Sequence, residues 1–284
     1  MRRPARLAAV LLVIAAGCGS FSSSGDPTPA DAGADGVAPV EAGPPVPDGA
    51  PPDGAASDAG SGFCNVEGPK HDFCADFDTV NDVTDGWLPE VQGPSVAPMF
   101  ASLSSSPPRS MSVAVRRDDA GATVPISRLS YQAPFPTGTV GVPETRVQFA
   151  LYVENADEAG RNAFITSIEL GEPLSLVLRK LSDSSCEVLV TQGANVLQPS
   201  PSLTLPIRRW TRVKLIIPAR SGTGPSGGGV TVGVDTELRT VTVPAVAHPA
   251  SFRADIGLAF SNPLGGDWAA YFDDVLIDGA KRTQ

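Results

Sequence analysis

From Arg146 to Gln192 apolar residues fall on even spacings. They are Val147, Phe149, Leu151 and Val153 in RVQFALYVE, Phe164, Ile168 and Leu170 in NAFITSIEL, Leu174, Leu176 and Leu178 in PLSLVLRKL, and Cys186, Val188 and Val190 in SCEVLVTQ. A period of two places each set on one face of a half-buried strand. The intervening LGEP and KLSDSS are short and turn-rich, which predicts antiparallel hairpins. Further strands are expected at SMSVAVRR, SRLSYQ, RWTRVKLIIP, GGVTVGVDT, LRTVTVP, RADIGLAF and WAAYFDDVLIDG. No stretch after residue 62 keeps a helical stripe, so about a dozen strands and no helices are expected. The fold class that follows is all-β, a two-sheet antiparallel jelly-roll sandwich over residues 63–284.

Upstream the composition changes. Arg2, Arg3 and Arg6 precede an apolar run of ten residues, Leu7 to Ala16, too short to span a bilayer. A basic start, a short apolar core and small residues describe an export signal over residues 1–17. Ala15-Ala16-Gly17-Cys18 resembles the bacterial lipobox, with alanine where leucine is usual. That resemblance implies cleavage before Cys18 and lipidation of Cys18, with enough acyl chain for stable anchoring. An ordinary signal peptide with an incidental cysteine is the alternative. Gly19 after Cys18, rather than aspartate, points to the outer membrane of a Gram-negative cell.

Residues 18–62 contain the run DPTPADAGADGVAPVEAGPPVPDGAPPDGAASDAGSG, with seven acidic and no basic residues. Such a segment cannot bury a core and is expected to be a disordered, self-repelling linker. Residues 63–284 keep 18 of the chain's basic and 24 of its acidic residues, a balance of −6. That surface offers no basic patch for a polyanion, so a nucleic-acid partner is not expected.

RRWTRVKLII followed by GGVTVGVDT resembles a strand pair of laminin-G-like and concanavalin A-like jelly rolls, and DIGLAF with WAAYFDDVLIDG resembles their closing strands. FCADFDTVNDVTDGW is similar to their opening and to that of several carbohydrate-binding modules. The resemblance implies that the first and last strands pair, bringing Ala75 to Asp78 beside Tyr271 to Val275. Asp76, Asp78, Asp273 and Asp274 would then converge, and like charges that close need a cation or several N–H groups. Calcium suits such oxygen donors, and the resemblance assigns it Asp78 and Asp273 as ligands. Asp273 is expected to face inward with Val275 and Ile277. The alternative is that Asp78 and Asp273 cap turns or meet solvent at a sheet edge.

Exported proteins retain disulfides, and Cys64 and Cys74 are expected to pair across FCNVEGPKHDFC. Cys186, in phase with Val188 and Val190, reads as a small buried hydrophobe. The E-x-D-x-x-E spacing of laminarinase-like hydrolases is absent; Glu154-Asn155-Ala156-Asp157-Glu158 and Asp235-Thr236-Glu237 only approximate it. His71 and His248 are the only histidines and neither sits in a catalytic pattern. Ile256-Gly257-Leu258 resembles scaffold residues of keto-disaccharide hydrolases, which transfers no catalytic group. The function expected is therefore a lipid-anchored cell-envelope protein whose jelly roll binds carbohydrate or another surface protein. A glycan-degrading enzyme on the same fold is the alternative. Trp268 and Tyr131 are the aromatic candidates for a sugar contact, with burial as their alternative, and Trp87 and Trp210 read as packing residues.

Overall fold

The computed structural model describes residues 62–118, 121–134, 144–157, 162–170, 172–219, 228–244, 251–260 and 266–279. The expected signal peptide, Cys18, nearly all of the expected linker, and His248 lie outside the described residues. Phe63–Glu67 forms a short helix, α1, and Gly68–Lys70 a 3-10 turn. The strands follow in order: β1 Phe73–Ala75, β2 Leu88–Gln92, β3 Ser95–Ala101, β4 Ser110–Val115, β5 Ile126–Pro134, β6 Thr145–Ala156, β7 Asn162–Leu170 and β8 Glu172–Ser182. The second half continues with β9 Ser185–Gln192, β10 Asn195–Leu197, β11 Leu203–Pro206, β12 Thr211–Ile217, β13 Gly228–Val234, β14 Glu237–Val243, β15 Ser251–Ala259 and β16 Trp268–Asp278. The helix was not expected, because five residues are too few to show a helical period.

Two antiparallel sheets share the strands equally. The first runs β14-β13-β12-β6-β16-β4-β3, with β1 also on β16; the second runs β10-β9-β8-β7-β15-β5-β2, with β11 also on β9. Their apolar faces meet in one core. Val147, Phe149 and Leu151 of β6 pack from the first sheet, and Leu174, Leu176 and Leu178 of β8, with Phe252, Ala254 and Ile256 of β15, from the second. The hairpins at LGEP and KLSDSS join β7 to β8 and β8 to β9. The observed fold is thus the expected two-sheet sandwich. Cys186 is buried and unpaired, and burial pushes its thiol up to about 12, so it is inert at neutral pH.

Three expectations about faces are corrected. Trp268 is only 2% exposed, because it shares the core face of β16 with Ala270 and Phe272 and its ring meets Phe260. Tyr131 lies on the core side of β5, its ring stacked 4.7 Å from Phe73 and edge-on to Phe252. Trp268 cannot offer its ring to a sugar, and Tyr131, half-buried, has one face of its ring covered by Phe73. In β7 a register shift between Phe164 and Thr166 moves the core set to Ala163, Ile165 and Ile168, leaving Phe164 on the opposite face.

The first strand lies beside the last, with Phe73, Cys74 and Ala75 opposite Ile277, Leu276 and Val275. Cys64 and Cys74 are joined, and His71 reaches the Asp278 carboxylate at 2.9 Å, so the N-terminal loop is fixed at both ends. A ten-residue closure stabilises by roughly 2.5 to 3 kcal/mol in the chain-entropy account. A Cys64→Ser, Cys74→Ser double variant is expected to melt on the order of 5 to 10 °C lower by circular dichroism. An unchanged midpoint would mean that the loop is held by Asp278 and the α1 contacts alone.

Candidate functional site

Two clusters of charge sit in the sandwich, one at the paired termini and one on the second sheet. At the termini, β16 carries a register shift between Asp273 and Leu276, with Asp274 at φ 50°. One extra residue in a strand inverts the facing of what precedes it. Asp273 consequently pairs with Ala150 on the face away from the core, not with Val275 and Ile277 as the alternation implied. It is nonetheless wholly buried, because the β3–β4 connection lies over it. Its Oδ2 accepts from the backbone N–H of Ser105 and of Ser106, each at 2.9 Å, and from Ser106 Oγ at 3.3 Å, while Oδ1 accepts from Asp274 N–H at 2.9 Å.

Asp274 accepts from Ser106 Oγ at 2.7 Å and from Arg212 Nη2 at 3.3 Å. Asp76 accepts from Cys64 N–H and Asp78 N–H, and Asp78 from Arg109 N–H. The four carboxylates do converge. Burial pushes Asp273 up to about 7, the Ser106 N–H opposes this and the Asp274 charge adds to it. Burial raises Asp274 and Asp78 as well, each helped by the charge of Asp76.

As a calcium ligand Asp273 does not fit, since both of its oxygens are already taken by donors. Among the described residues no group of three His, Cys, Asp or Glu side chains could hold a metal ion. The convergence expected from the sequence is real, and N–H groups are what meet Asp273.

The second cluster is on the face of the second sheet that points away from the core. Successive pairings put Ser130 opposite Asp255, Asp255 opposite Ser167, Ser167 opposite Ser175, and Ser175 opposite Thr191. These five residues form one line across β5, β15, β7, β8 and β9. At about 4.8 Å per strand the line is roughly 19 Å long. All five are small or short, and all are 2 to 7% exposed, so the line is the floor of the face rather than its rim.

Asp255 anchors one end of this floor. Its Oδ1 accepts from Ser130 Oγ at 2.6 Å and Arg253 Nε at 2.8 Å, and Arg253 Nη2 also donates to Ser130 Oγ and to Glu90. Arg128 donates twice to Glu90 Oε2, from Nε at 2.9 Å and Nη2 at 2.7 Å. Burial alone would favour a neutral Arg253, but Asp255, Glu169 and Glu90 outweigh it and hold the guanidinium charged more firmly than usual. Asp255 Oδ2 stands 2.9 Å from Arg128 Nη1 yet has no aligned hydrogen bond among the described residues. We take this as charge contact without directional bonding, which leaves a lone pair for a further donor. A cavity of about 10 Å³, room for one water or hydroxyl, is lined by Asp255, Arg128, Thr166, Ser167 and Gly257 among others.

This line is not legible in the sequence. Each member reads locally as a polar residue on the solvent side of an alternating strand, and only the register across five strands assembles them. The one local signal was the carboxylate of Asp255 inside the apolar run ADIGLAF.

No protein-family model matches the sequence, and no curated protein does. Among solved structures the chain is similar to "Cellulose induced protein, Cip1", with a TM-score of 0.52 at 14% identity over 74% of this chain and 98% of that one. It is also similar to an endo-beta-1,4-glucuronan lyase from the fungus Trichoderma reesei, with a TM-score of 0.50 at 13% identity over 74% and 96%. At such identities the likeness is one of fold.

Proposed function

We propose that the protein is a carbohydrate-binding jelly roll whose ligand lies along the line Ser130, Asp255, Ser167, Ser175 and Thr191. The observation that carries this is a transverse floor of hydroxyl groups with, near one end, a buried carboxylate oxygen that lacks an aligned donor. Sugar hydroxyls both donate and accept, so they can complete Asp255 Oδ2 while accepting from serine hydroxyls. Because Arg128 and Arg253 are already matched by Glu90 and Asp255, the floor presents no free cation that would prefer a uronate. The fold shared with the two carbohydrate-related neighbours agrees with a glycan ligand. Display from the cell envelope through a lipid on Cys18 and an acidic linker belongs to the same proposal and rests on the N-terminal sequence.

Catalysis is not part of the proposal. Among the described residues the floor carries no histidine or tyrosine base, and its carboxylates are held in ion pairs rather than standing as a free acid and nucleophile.

Binding is tested by calorimetry of the full chain against a panel of soluble oligosaccharides. Asp255→Asn is expected to weaken binding roughly tenfold or more, the effect of losing a charged hydrogen bond, and Ser175→Leu, which puts bulk on the floor, is independently expected to weaken it. Both variants should first be checked for an unchanged melting profile. Wild-type affinity in both would remove the floor as the site. Release of new reducing ends or unsaturated products, lost in Asp255→Asn, would replace binding by catalysis.

A further inference from the structure

The face of the first sheet that points away from the core carries a second line of different chemistry. Tyr152 of β6 lies directly opposite Tyr271 of β16, Tyr271 opposite Ser112 of β4, and Ser112 opposite Met99 of β3. Trp210 immediately precedes β12, whose Thr211 pairs with Leu151, so it extends the line beyond Tyr152. The ring centres of Trp210 and Tyr152 are 5.6 Å apart at 52°, and those of Tyr152 and Tyr271 are 5.8 Å apart at 74°. All three rings are half-buried, unlike Trp87 and Trp268, which are 6% and 2% exposed. Met99 at the end of the line is 50% exposed.

Polar groups border the rings. Tyr271 Oη donates to Glu154 Oε2 at 2.9 Å. Arg212, two residues beyond Trp210 on the same face, contacts Asp274 and keeps 40% of its side chain exposed. Trp210 Nε1 is buried without a hydrogen-bond partner among the described residues.

We propose that Trp210, Tyr152 and Tyr271 form a second glycan-contacting surface, distinct from the floor on the other sheet, for a neutral chain of pyranose rings. Pyranose C–H faces stack on aromatic rings. Ring centres 5.6 and 5.8 Å apart are spaced at about the length of one pyranose unit in an extended chain. The inclinations between the rings select a twisted single chain over a flat crystalline face. Glu154 beside Tyr271 disfavours a carboxylated sugar through like charge, which makes the ligand neutral. Glu154 and Arg212 meet hydroxyls of the chain at the border. This surface does not depend on the proposed floor and stands even where the floor binds nothing.

The test uses tryptophan fluorescence of the full chain titrated with β-1,4-linked and β-1,3-linked glucan hexasaccharides, with an alginate hexasaccharide as the anionic control. The expected result is a saturable spectral change with one or both neutral probes and none with alginate. Trp210→Phe should abolish that change, and Tyr271→Ala should shift its midpoint at least tenfold, while Asp255→Asn leaves it in place. Trp210→Ala is avoided as the primary variant because it opens a void; Tyr152→Ala, which leaves every tryptophan in place, is the second. No change with any neutral probe, or a titration that survives both Tyr271→Ala and Tyr152→Ala, would overturn the proposal. So would a change lost in Asp255→Asn and kept in Tyr271→Ala, because that assigns the ligand to the other sheet.

Discussion

Gly257→Ala is expected to destabilise the domain by about 3 to 5 kcal/mol, which lowers its melting temperature on the order of 10 °C. Gly257 sits within β15 at φ +138°, opposite Arg128 of β5, a conformation open only to glycine. A Cβ added there would stand 2.4 Å from Ser127 O and 2.5 Å from Arg128 Cα, both backbone atoms that cannot step aside. Relief requires β15 and β5 to part, and those strands carry Asp255, Ser130 and Arg128. Ligand binding on that face should therefore fall with stability. Gly121→Ala is the comparison, since Gly121 has φ +66° with nothing within 4 Å of the added carbon; it should cost only about 1 kcal/mol. A Gly257→Ala protein that melts with Gly121→Ala would show that β15 and β5 do not approach this closely.

The second large effect is with pH. The Asp273 carboxyl titrates near 7 when folded, against about 3.9 in an unfolded chain. A raised carboxylate pKa means that the native state binds the proton more tightly, so stability falls as pH rises between those two values. The loss begins near pH 4, is complete above about pH 7, and can approach 4 kcal/mol at 1.36 kcal/mol per unit. Asp274 and Asp78 are raised too and act in the same direction. Urea denaturation from pH 4 to 8.5 should show this decline, and Asp273→Asn should flatten it. At pH 5 the variant is expected to be the less stable protein, because an amide group would face the Asp274 N–H; at pH 8 the gap should close. Parallel curves for the two proteins would remove Asp273 as the source. Recording the same curves with excess calcium and with a chelator separates two ways of relieving the corner. Coincident curves leave protonation as the remedy, and a calcium-dependent gain at pH 8 would place a cation among Asp76, Asp78 and Asp274.

Much of the architecture is readable in the order of residues. Alternation marks β6, β8 and β9 correctly because each packs one face on the other sheet and the register shifts fall beyond the apolar sets, after Val153 in β6 and after Lys180 in β8. Pairing of the opening and closing segments is also legible, through their likeness to jelly-roll ends. What could not be read is whatever depends on a bulge or on register between strands distant in sequence. The shift after Asp273 turns that residue outward, the shift near Phe164 exchanges it for Ile165, and neither leaves a local mark beyond an aspartate at positive φ. Trp268 is a different error, since its phase with Ala270 and Phe272 already placed it in the core. Trp210, expected to pack in the core or at its rim, takes the rim: it is half-buried against Tyr152, because Thr211, Val213 and Leu215 occupy the core side.

One feature of the first sheet bears on how such a chain is made. Strand β16, the last strand in chain order among the described residues, lies between β6 and β4 at the middle of the sheet. Until Trp268–Asp278 arrives, β4 with β3 has no link to β6 and its neighbours within that sheet, and β1 has no partner at all. Closing contacts so far apart in sequence is slow. A chain with this strand order therefore holds its first sheet in separate pieces until β16 docks between them, and that one insertion closes the layer.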